Sequence, residues 1–277
     1  MIDQYSMTLD AFAAAIPDGA KIAIPAEYSG VAMAATRALI RRSARNLHLV
    51  CVPVSGLQAD MLIGAGAVAT IETSAVTLDE FGAAPRFVDS VRKGSIKLMD
   101  ATCPAIHAAL QAAEKGLPFM PLRGILGSDL LAHRPDWRVI DNPFAQNDPI
   151  VLLPAIKPDV ALFHAPLADR EGNVWVGRRR ELMTMSHAAR GAFVTVERYY
   201  DGSLLEDDRY AAGTIPALYV EAIAQVERGA WPIGLWSHYE QDERELKNYA
   251  EAARTAEGFA QYLERALRME PGQEAAE

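Results

Sequence analysis

The chain has 277 residues, half of them hydrophobic, so it can bury a full core, and we expect one domain over residues 1–277 with a frayed end at 271–277. Acidic residues outnumber basic ones by 36 to 27, and the net charge of −9 argues against nucleic-acid binding. No apolar run approaches the roughly 20 residues that cross a bilayer, and the first residues lack the basic region of a secretory signal, so we expect a soluble cytoplasmic protein.

Strands and helices alternate along the first 116 residues. Apolar runs predict strands at 21–25, 46–54, 67–71 and 96–99. Apolar side chains spaced three and four residues apart predict helices at 8–16, 32–42, 57–65, 85–93 and 102–116. This alternation favours a parallel sheet covered by helices.

The pattern is interrupted between residues 117 and 149, where five prolines and two glycines accompany little periodicity. A connection of this length is either functional or held by a partner. Beyond it the sequence predicts strands at 150–153, 160–163, 174–176 and 192–196 and helices at 181–190 and 242–267. Two further segments are predicted as a strand or short helix at 216–225 and an extended segment at 229–236.

Polar residues follow the predicted strand at 160–163. His164, Asp169 and Asn173 form an elbow before the next apolar run. Because open α/β sheets bind ligands at the ends of their strands, this elbow is a candidate site. The alternative is a turn in which Asp169 and Asn173 bond the nearby backbone.

The cysteines and histidines indicate neither a disulfide framework nor a metal site. Cys51 and Cys103 are the two cysteines of the sequence, which fits a reducing compartment. None of the six histidines occurs in a His-x-x-x-His or His-Glu-x-x-His pattern. We therefore assign no metal.

Five motifs, in this order along the chain, resemble the alpha (A) subunit of the family I CoA-transferases, especially the glutaconate CoA-transferase branch. The first three read L-P-F-M-P-L-R-G-I-L-G-S-D at 117–129, H-A-P-L-A-D-R-E-G-N at 164–173 and F-V-T-V-E-R at 193–198. The last two are G-A-W-P at 229–232 and Y-E-Q-D-x6-Y at 239–249. The resemblance extends from about residue 20 to residue 262.

The resemblance implies an α/β fold with an open, largely parallel sheet covered by helices, the CoA-transferase (NagB/RpiA-like) fold. It also implies that CoA moves between an acyl-CoA thioester and a carboxylic acid, with no tightly bound cofactor. The thioester is attacked by a glutamate that lies on a separate B subunit, which gives a glutamyl-CoA thioester, so no catalytic residue is expected on this chain. The alpha subunit contributes a glycine-rich loop after its first strand.

The sequence departs from the family pattern in two places. The loop after the first strand reads P-A-E-Y-S-G at 25–30, so side chains occupy positions where glycines let a backbone approach a ligand. This change allows a different acyl substrate or a different reaction. After Asp100 the chain reads A-T-C-P, without the further acidic residue on which related ring-opening acyl-CoA hydrolases rely.

The candidate substrate-binding residues fall in three segments. They are Glu27, Tyr28, Ser29 and Gly30, then Thr102, then Arg123, Gly124, Gly127 and Ser128. Glu27 lies where a helix N-terminus favours negative charge and is predicted to orient water or a substrate hydroxyl; the alternative is a helix-capping carboxylate. Ser29 either faces the acyl group or is a helix N-cap.

Arg123 is a candidate carboxylate binder, because a guanidinium holds a carboxylate through two parallel hydrogen bonds. The alternative is an ion pair that fixes its loop to a neighbouring element. His164 is a candidate acid or base, against the alternative of a buried histidine, and Glu197 is interpreted as a brace for the site.

Two surface features have open interpretations. Arg178, Arg179 and Arg180 form a basic run that binds CoA phosphates, contacts the B subunit or faces water. An aromatic cluster of Trp231, Trp236 and Tyr239 is either an interface anchor or part of the core.

Two other functions remain open from the sequence. One is an acyl-CoA hydrolase on the same fold, which would cleave a thioester or C–C bond without an acceptor acid. The other is a non-catalytic subunit that binds CoA thioesters, which the altered loop at 26–29 keeps open.

Overall fold

A mixed, mostly parallel sheet forms the centre of the protein in the computed structural model, which describes residues 5–268. The predicted frayed end at 271–277 lies outside the described residues. The strands are β1 Lys21–Pro25, β2 Leu47–Val52, β3 Val54–Ser55, β4 Val68–Thr73, β5 Ala75–Val76, β6 Lys97–Asp100, β7 Phe119–Leu122, β8 Arg138–Asp141, β9 Pro149–Pro154, β10 Val160–Asp169, β11 Val174–Trp175, β12 Gly191–Tyr200, β13 Thr214–Ile215 and β14 Val220–Gln225.

The helices cover both faces of this sheet. They are α1 Leu9–Ala15, α2 Met33–Arg41, α3 Leu57–Gly64, α4 Pro85–Lys93, α5 Cys103–Glu114, α6 Leu130–His133, α7 Arg180–Ala188, α8 Glu243–Ala252 and α9 Ala256–Arg268. The predicted α/β class with an open, largely parallel sheet is confirmed, and β1 and α4 have the predicted bounds.

Seven strands pair in parallel in the order β6-β4-β2-β1-β10-β12-β14. The chain builds outward from β1 in one direction and later resumes at β10 on the other side. β1 and β10 therefore form a topological switch point, where α/β sheets of this kind bind ligands.

Alternating residues of the central strands face two apolar cores. Ile22 and Ile24 of β1 lie in the core beneath α1, α2 and α3, whereas Ala23 lies in the core on the side of α5 and α7. Burial on both faces explains why these strands are continuous apolar runs in the sequence.

The predicted strand at 160–163 was too short. β10 continues to Asp169, so His164 lies inside a strand rather than in an elbow. The second half of β10 keeps its extended backbone because it pairs with β12 on one side and with β11 on the other. Every residue of β10 is buried.

The segment at 117–149 is more regular than its lack of periodicity indicates. This segment contains β7, α6 and β8, and β7 and β8 flank β9 in an antiparallel sheet. Pro121 lies in β7, which is an edge strand, and an edge strand tolerates the missing N–H of proline.

The long helix predicted at 242–267 is two helices, α8 and α9. The chain turns at residues 253–255, and Gly258 in α9 packs against the carbonyl oxygen of Ala252 at the end of α8. A Cβ atom at Gly258 would overlap that oxygen, so the glycine permits the close approach. The segment at 229–236 forms turns rather than an extended segment.

Candidate active site

The loop after β1 lies at the switch point of the sheet. Glu27–Ser29 form a single helical turn, and Gly30 follows in the left-handed conformation with φ +81°. The Gly30 carbonyl accepts a hydrogen bond from the His164 N–H at 2.7 Å. A Cβ atom at Gly30 would overlap the carbonyl oxygen of His164, so this position requires glycine on two grounds. The loop is thereby fixed to the middle of β10.

A buried network holds the His164 side chain behind this loop. Its Nδ1 lies 2.8 Å from Thr195 Oγ1 and its Nε2 lies 2.7 Å from Glu197 Oε1. The Glu197 carboxylate also accepts hydrogen bonds from the Tyr239 hydroxyl at 2.9 Å and the Arg228 N–H at 2.8 Å. Because both imidazole nitrogens are engaged, His164 positions the loop through its backbone rather than offering a free nitrogen to a substrate.

Glu197 remains a carboxylate despite its burial. Burial raises the pKa of Glu197, but the hydrogen bond and charge of His164, with the hydrogen bonds from Arg228 and Tyr239, outweigh it and lower the pKa below its ordinary value. The predicted role of Glu197 as a brace fits these contacts. The hydroxyl of Tyr239, a member of the predicted aromatic cluster, belongs to the same network.

Glu27 and Ser29 are both engaged within the protein. The Ser29 hydroxyl is buried and donates to the carboxylate of Glu181, at the start of α7. The Glu27 carboxylate accepts from the Leu57 N–H in the first turn of α3. Glu27 thus caps a helix, as its alternative interpretation had it, but the helix is α3 rather than the one that follows its own loop.

Burial raises the pKa of Glu27 to about 7, although the hydrogen bond from Leu57 opposes the rise. The nearby carboxylates of Asp79 and Asp60 raise it further. Glu27 therefore titrates near neutral pH, in the range in which a carboxyl group exchanges protons readily.

We expect this titration to make the fold less stable as pH rises. Because the folded-state pKa of Glu27 exceeds the ordinary value of 4.5, the folded protein binds more protons than the unfolded chain between about pH 4.5 and 7. The free energy of unfolding should fall across that window by on the order of 3 kcal/mol. Glu27→Gln should remove most of this slope in urea unfolding measured at several pH values. An equal slope in both proteins would contradict the assignment.

An arginine and two aromatic rings lie beside the loop at 27–30. The guanidinium carbon of Arg179 is 5.7 Å from the ring centre of Tyr28 and 5.1 Å from that of Trp236. Trp236 packs against Gly30, and Tyr28 is 61% exposed. The arginine run at 178–180 had suggested a ligand contact, but the sequence did not show which of its members faces the loop.

The other predicted binding residues lie in separate elements. Thr102 is the N-cap of α5, where its hydroxyl accepts from the Ala105 N–H at 3.3 Å. Arg123 forms the ion pair of its alternative interpretation. Its Nε lies 2.8 Å from Oδ1 of Asp148. The positions after Arg123 lie in the connection from β7 to α6, namely Gly124, Gly127 and Ser128.

Asp169 and Asn173 have the structural role of their alternative interpretation. The Asp169 carboxylate accepts from the N–H groups of Glu171, Asn173 and Leu204. Within residues 5–268, no cluster of three or more His, Cys, Asp or Glu side chains is arranged to hold a metal ion. No helix in the same range is both long and apolar enough to span a membrane.

The fold and the loop at the switch point define an α/β protein with a candidate ligand site at the carboxyl ends of its central strands. The family model described as "Coenzyme A transferase" matches residues 6–225. The chain therefore belongs to the coenzyme A transferase family, within which it corresponds to the alpha subunit.

Individual proteins support this assignment. The alpha (A) subunit of 3-oxoadipate CoA-transferase from Pseudomonas knackmussii is 30% identical over 263 residues, covering 91% of this chain and 89% of the relative. The crystal structure of glutaconate coenzyme A-transferase from Acidaminococcus fermentans matches with a TM-score of 0.87 and 26% identity, over 95% of this chain and 88% of the other. The crystal structure of a variant of the decarboxylase AibA/AibB matches with a TM-score of 0.84 and 27% identity, over 97% of this chain and 100% of the other.

Proposed function

We propose that this alpha subunit works with a B subunit to move CoA between an acyl-CoA thioester and a carboxylic acid, and that the acyl group carries a second carboxylate. A glutamate of the partner displaces the carboxylic acid from its thioester and becomes a glutamyl-CoA thioester. A second acid then takes the CoA and releases the glutamate. This chain supplies the wall of the pocket and the recognition of the acid.

The observation that carries the dicarboxylate proposal is the position of Arg179. Its guanidinium contacts the rings of Tyr28 and Trp236, and no hydrogen bond or ion pair to it is found among residues 5–268. Contacts with aromatic rings leave the in-plane N–H groups of a guanidinium available to a carboxylate. Arg179 therefore presents a fixed cation beside Gly30.

Arg123 is a weaker candidate for the same role. Both Nε and a terminal nitrogen of its guanidinium bond to Asp148, and this pair raises the pKa of Arg123 through the hydrogen bond and the charge of the carboxylate. A substrate would have to displace Asp148. The names of the two CoA-transferase relatives, 3-oxoadipate and glutaconate, both denote dicarboxylates, which agrees with a cation beside the loop at 27–30.

Arg179→Met should impair the use of dicarboxylic acceptors selectively. A hydrogen bond to a charged group contributes about 1.5–3 kcal/mol, so kcat/KM for a dicarboxylic acid should fall about 10- to 100-fold. The value for a monocarboxylic acid of equal length should change little. Arg178→Met is the matched control because Arg178 is the exposed neighbour. An equal fall with both acids, or no fall with either, would refute the assignment to Arg179.

Hydrolysis is distinguished from transfer by the requirement for an acceptor acid. Glu27, with its pKa raised to about 7 by burial, is the observation that favours a hydrolase, because such a group can take a proton from water. If the assembled enzyme released free CoA at the same rate with and without an acid, the transferase proposal would fail.

A further inference from the structure

A cleft of about 390 Å³ opens between α4 and the end of α8, away from the loop at 27–30. Its volume is within the range of about 300–1,000 Å³ that is usual for ligand pockets. Three arginines line it, Arg86, Arg92 and Arg254. Asp89 is the one carboxylate among its described lining residues.

Asp89 is already neutralised by two cations. Its carboxylate lies 2.8 Å from Lys93 Nζ and 3.6 Å from a terminal nitrogen of Arg86. Asp89 and Arg92 lie three residues apart on the same face of α4, next to Arg86 in its first turn. The cleft therefore has an excess of positive charge on a chain whose net charge is −9.

Arg86 is held rigidly at the base of the cleft. Its side chain is 9% exposed, its stem packs against Gly64, and one terminal nitrogen donates to the Arg254 carbonyl at 3.3 Å. Its Nε is buried and has no hydrogen-bond partner among residues 5–268. This buried donor is therefore unsatisfied within the described residues, and Arg86 contributes its positive charge to the lining of the cleft.

Arg92 and Arg254 are both exposed at the rim of the cleft. No hydrogen bond or ion pair to either guanidinium is found in the described part of the chain. Planar guanidinium groups match the oxygens of a phosphate, and a phosphate dianion can accept from several of them together. Three arginines thus line a cleft that contains a single carboxylate.

We propose that this cleft binds a phosphate group, either free phosphate or a phosphate of the nucleotide part of CoA. Arg86 provides the fixed, partly desolvated donor, and Arg92 and Arg254 close on the anion from the rim. Phe81 lines both the cleft and a small cavity beside Glu27. The proposal does not depend on which acid receives CoA.

Isothermal titration calorimetry on the full chain tests the proposal with inorganic phosphate and with adenosine 3′,5′-bisphosphate, which carries no thiol. Arg92→Ala and Arg254→Ala should each weaken binding about tenfold, in line with loss of one charged hydrogen bond. Lys115→Ala is the control because Lys115 is an exposed cation that does not line the cleft. Circular dichroism confirms that each variant is folded.

The two probes distinguish the sources of the phosphate. Equal affinity for both supports a site for free phosphate, and tighter binding of the bisphosphate supports the nucleotide of CoA. In either case the loss in the Arg92 and Arg254 variants is required. If neither probe binds at millimolar concentration, or if Lys115→Ala weakens binding as much as the two arginine variants do, the proposal is overturned.

Discussion

Gly30→Ala is expected to abolish CoA transfer in the assembled enzyme. The added Cβ would overlap the carbonyl oxygen of His164 and lie 2.9 Å from the ring of Trp236, so the loop at 27–30 would have to move away from β10. The loop would then move relative to Arg179 and the partner subunit. Displacement of a reacting group by about 1 Å can cost about 100-fold in rate, so transfer should fall at least that far.

Gly66→Ala is the control for backbone strain alone. Gly66 also has a positive φ, +72°, but a Cβ atom there would meet nothing within 4 Å. This variant should lose about 1 kcal/mol of stability and keep full activity. Thermal unfolding and steady-state rates on both proteins separate the two effects. Full activity in Gly30→Ala would show that the loop does not shape the acyl site.

Glu197→Ala should strongly destabilise the fold. The carboxylate accepts from the His164 ring, the Tyr239 hydroxyl and the N–H groups of Arg228 and Gly229. Its removal leaves these donors without an acceptor in a buried site. Breaking such a network costs about 3–5 kcal/mol, and urea unfolding measures the loss directly.

The neighbouring acid Glu227 supplies the control. Glu227 is exposed, and Glu227→Ala should change the free energy of unfolding by no more than about 0.5 kcal/mol. Because the folded-state pKa of Glu197 is lowered, its contribution is present above the ordinary pKa of glutamate and is lost as pH falls through the folded-state value. Wild type and Glu197→Ala should therefore converge in stability at acidic pH. A pH-independent difference would contradict an ionised Glu197.

The sequence predicted the central architecture because local patterns determine it. The alternation of apolar runs and helical spacing located β1 and α4 to the residue. The extent of β10 was missed because His164 and Asp169 are polar, and their partners lie on other strands and turns. Local polarity indicated a turn, whereas pairing with β11 and β12 extended the strand.

The loop at 27–30 was located by its place after the first strand, but the roles of its residues depend on distant partners. Glu27 binds the start of α3, and Ser29 binds Glu181 of α7. Nothing in the spacing of these residues predicts those pairs. The same holds for Arg179, whose two aromatic contacts join segments that are far apart in sequence.

The most direct test of the dependence on a partner is an assay of CoA transfer between a labelled acyl-CoA and an unlabelled acid. Transfer is measured with the purified chain alone and again after the purified B subunit is added. Transfer is expected with the two subunits together and not with this chain alone, because we propose that the attacking glutamate belongs to the partner. Transfer by the isolated chain at the rate of the assembled enzyme would contradict the account.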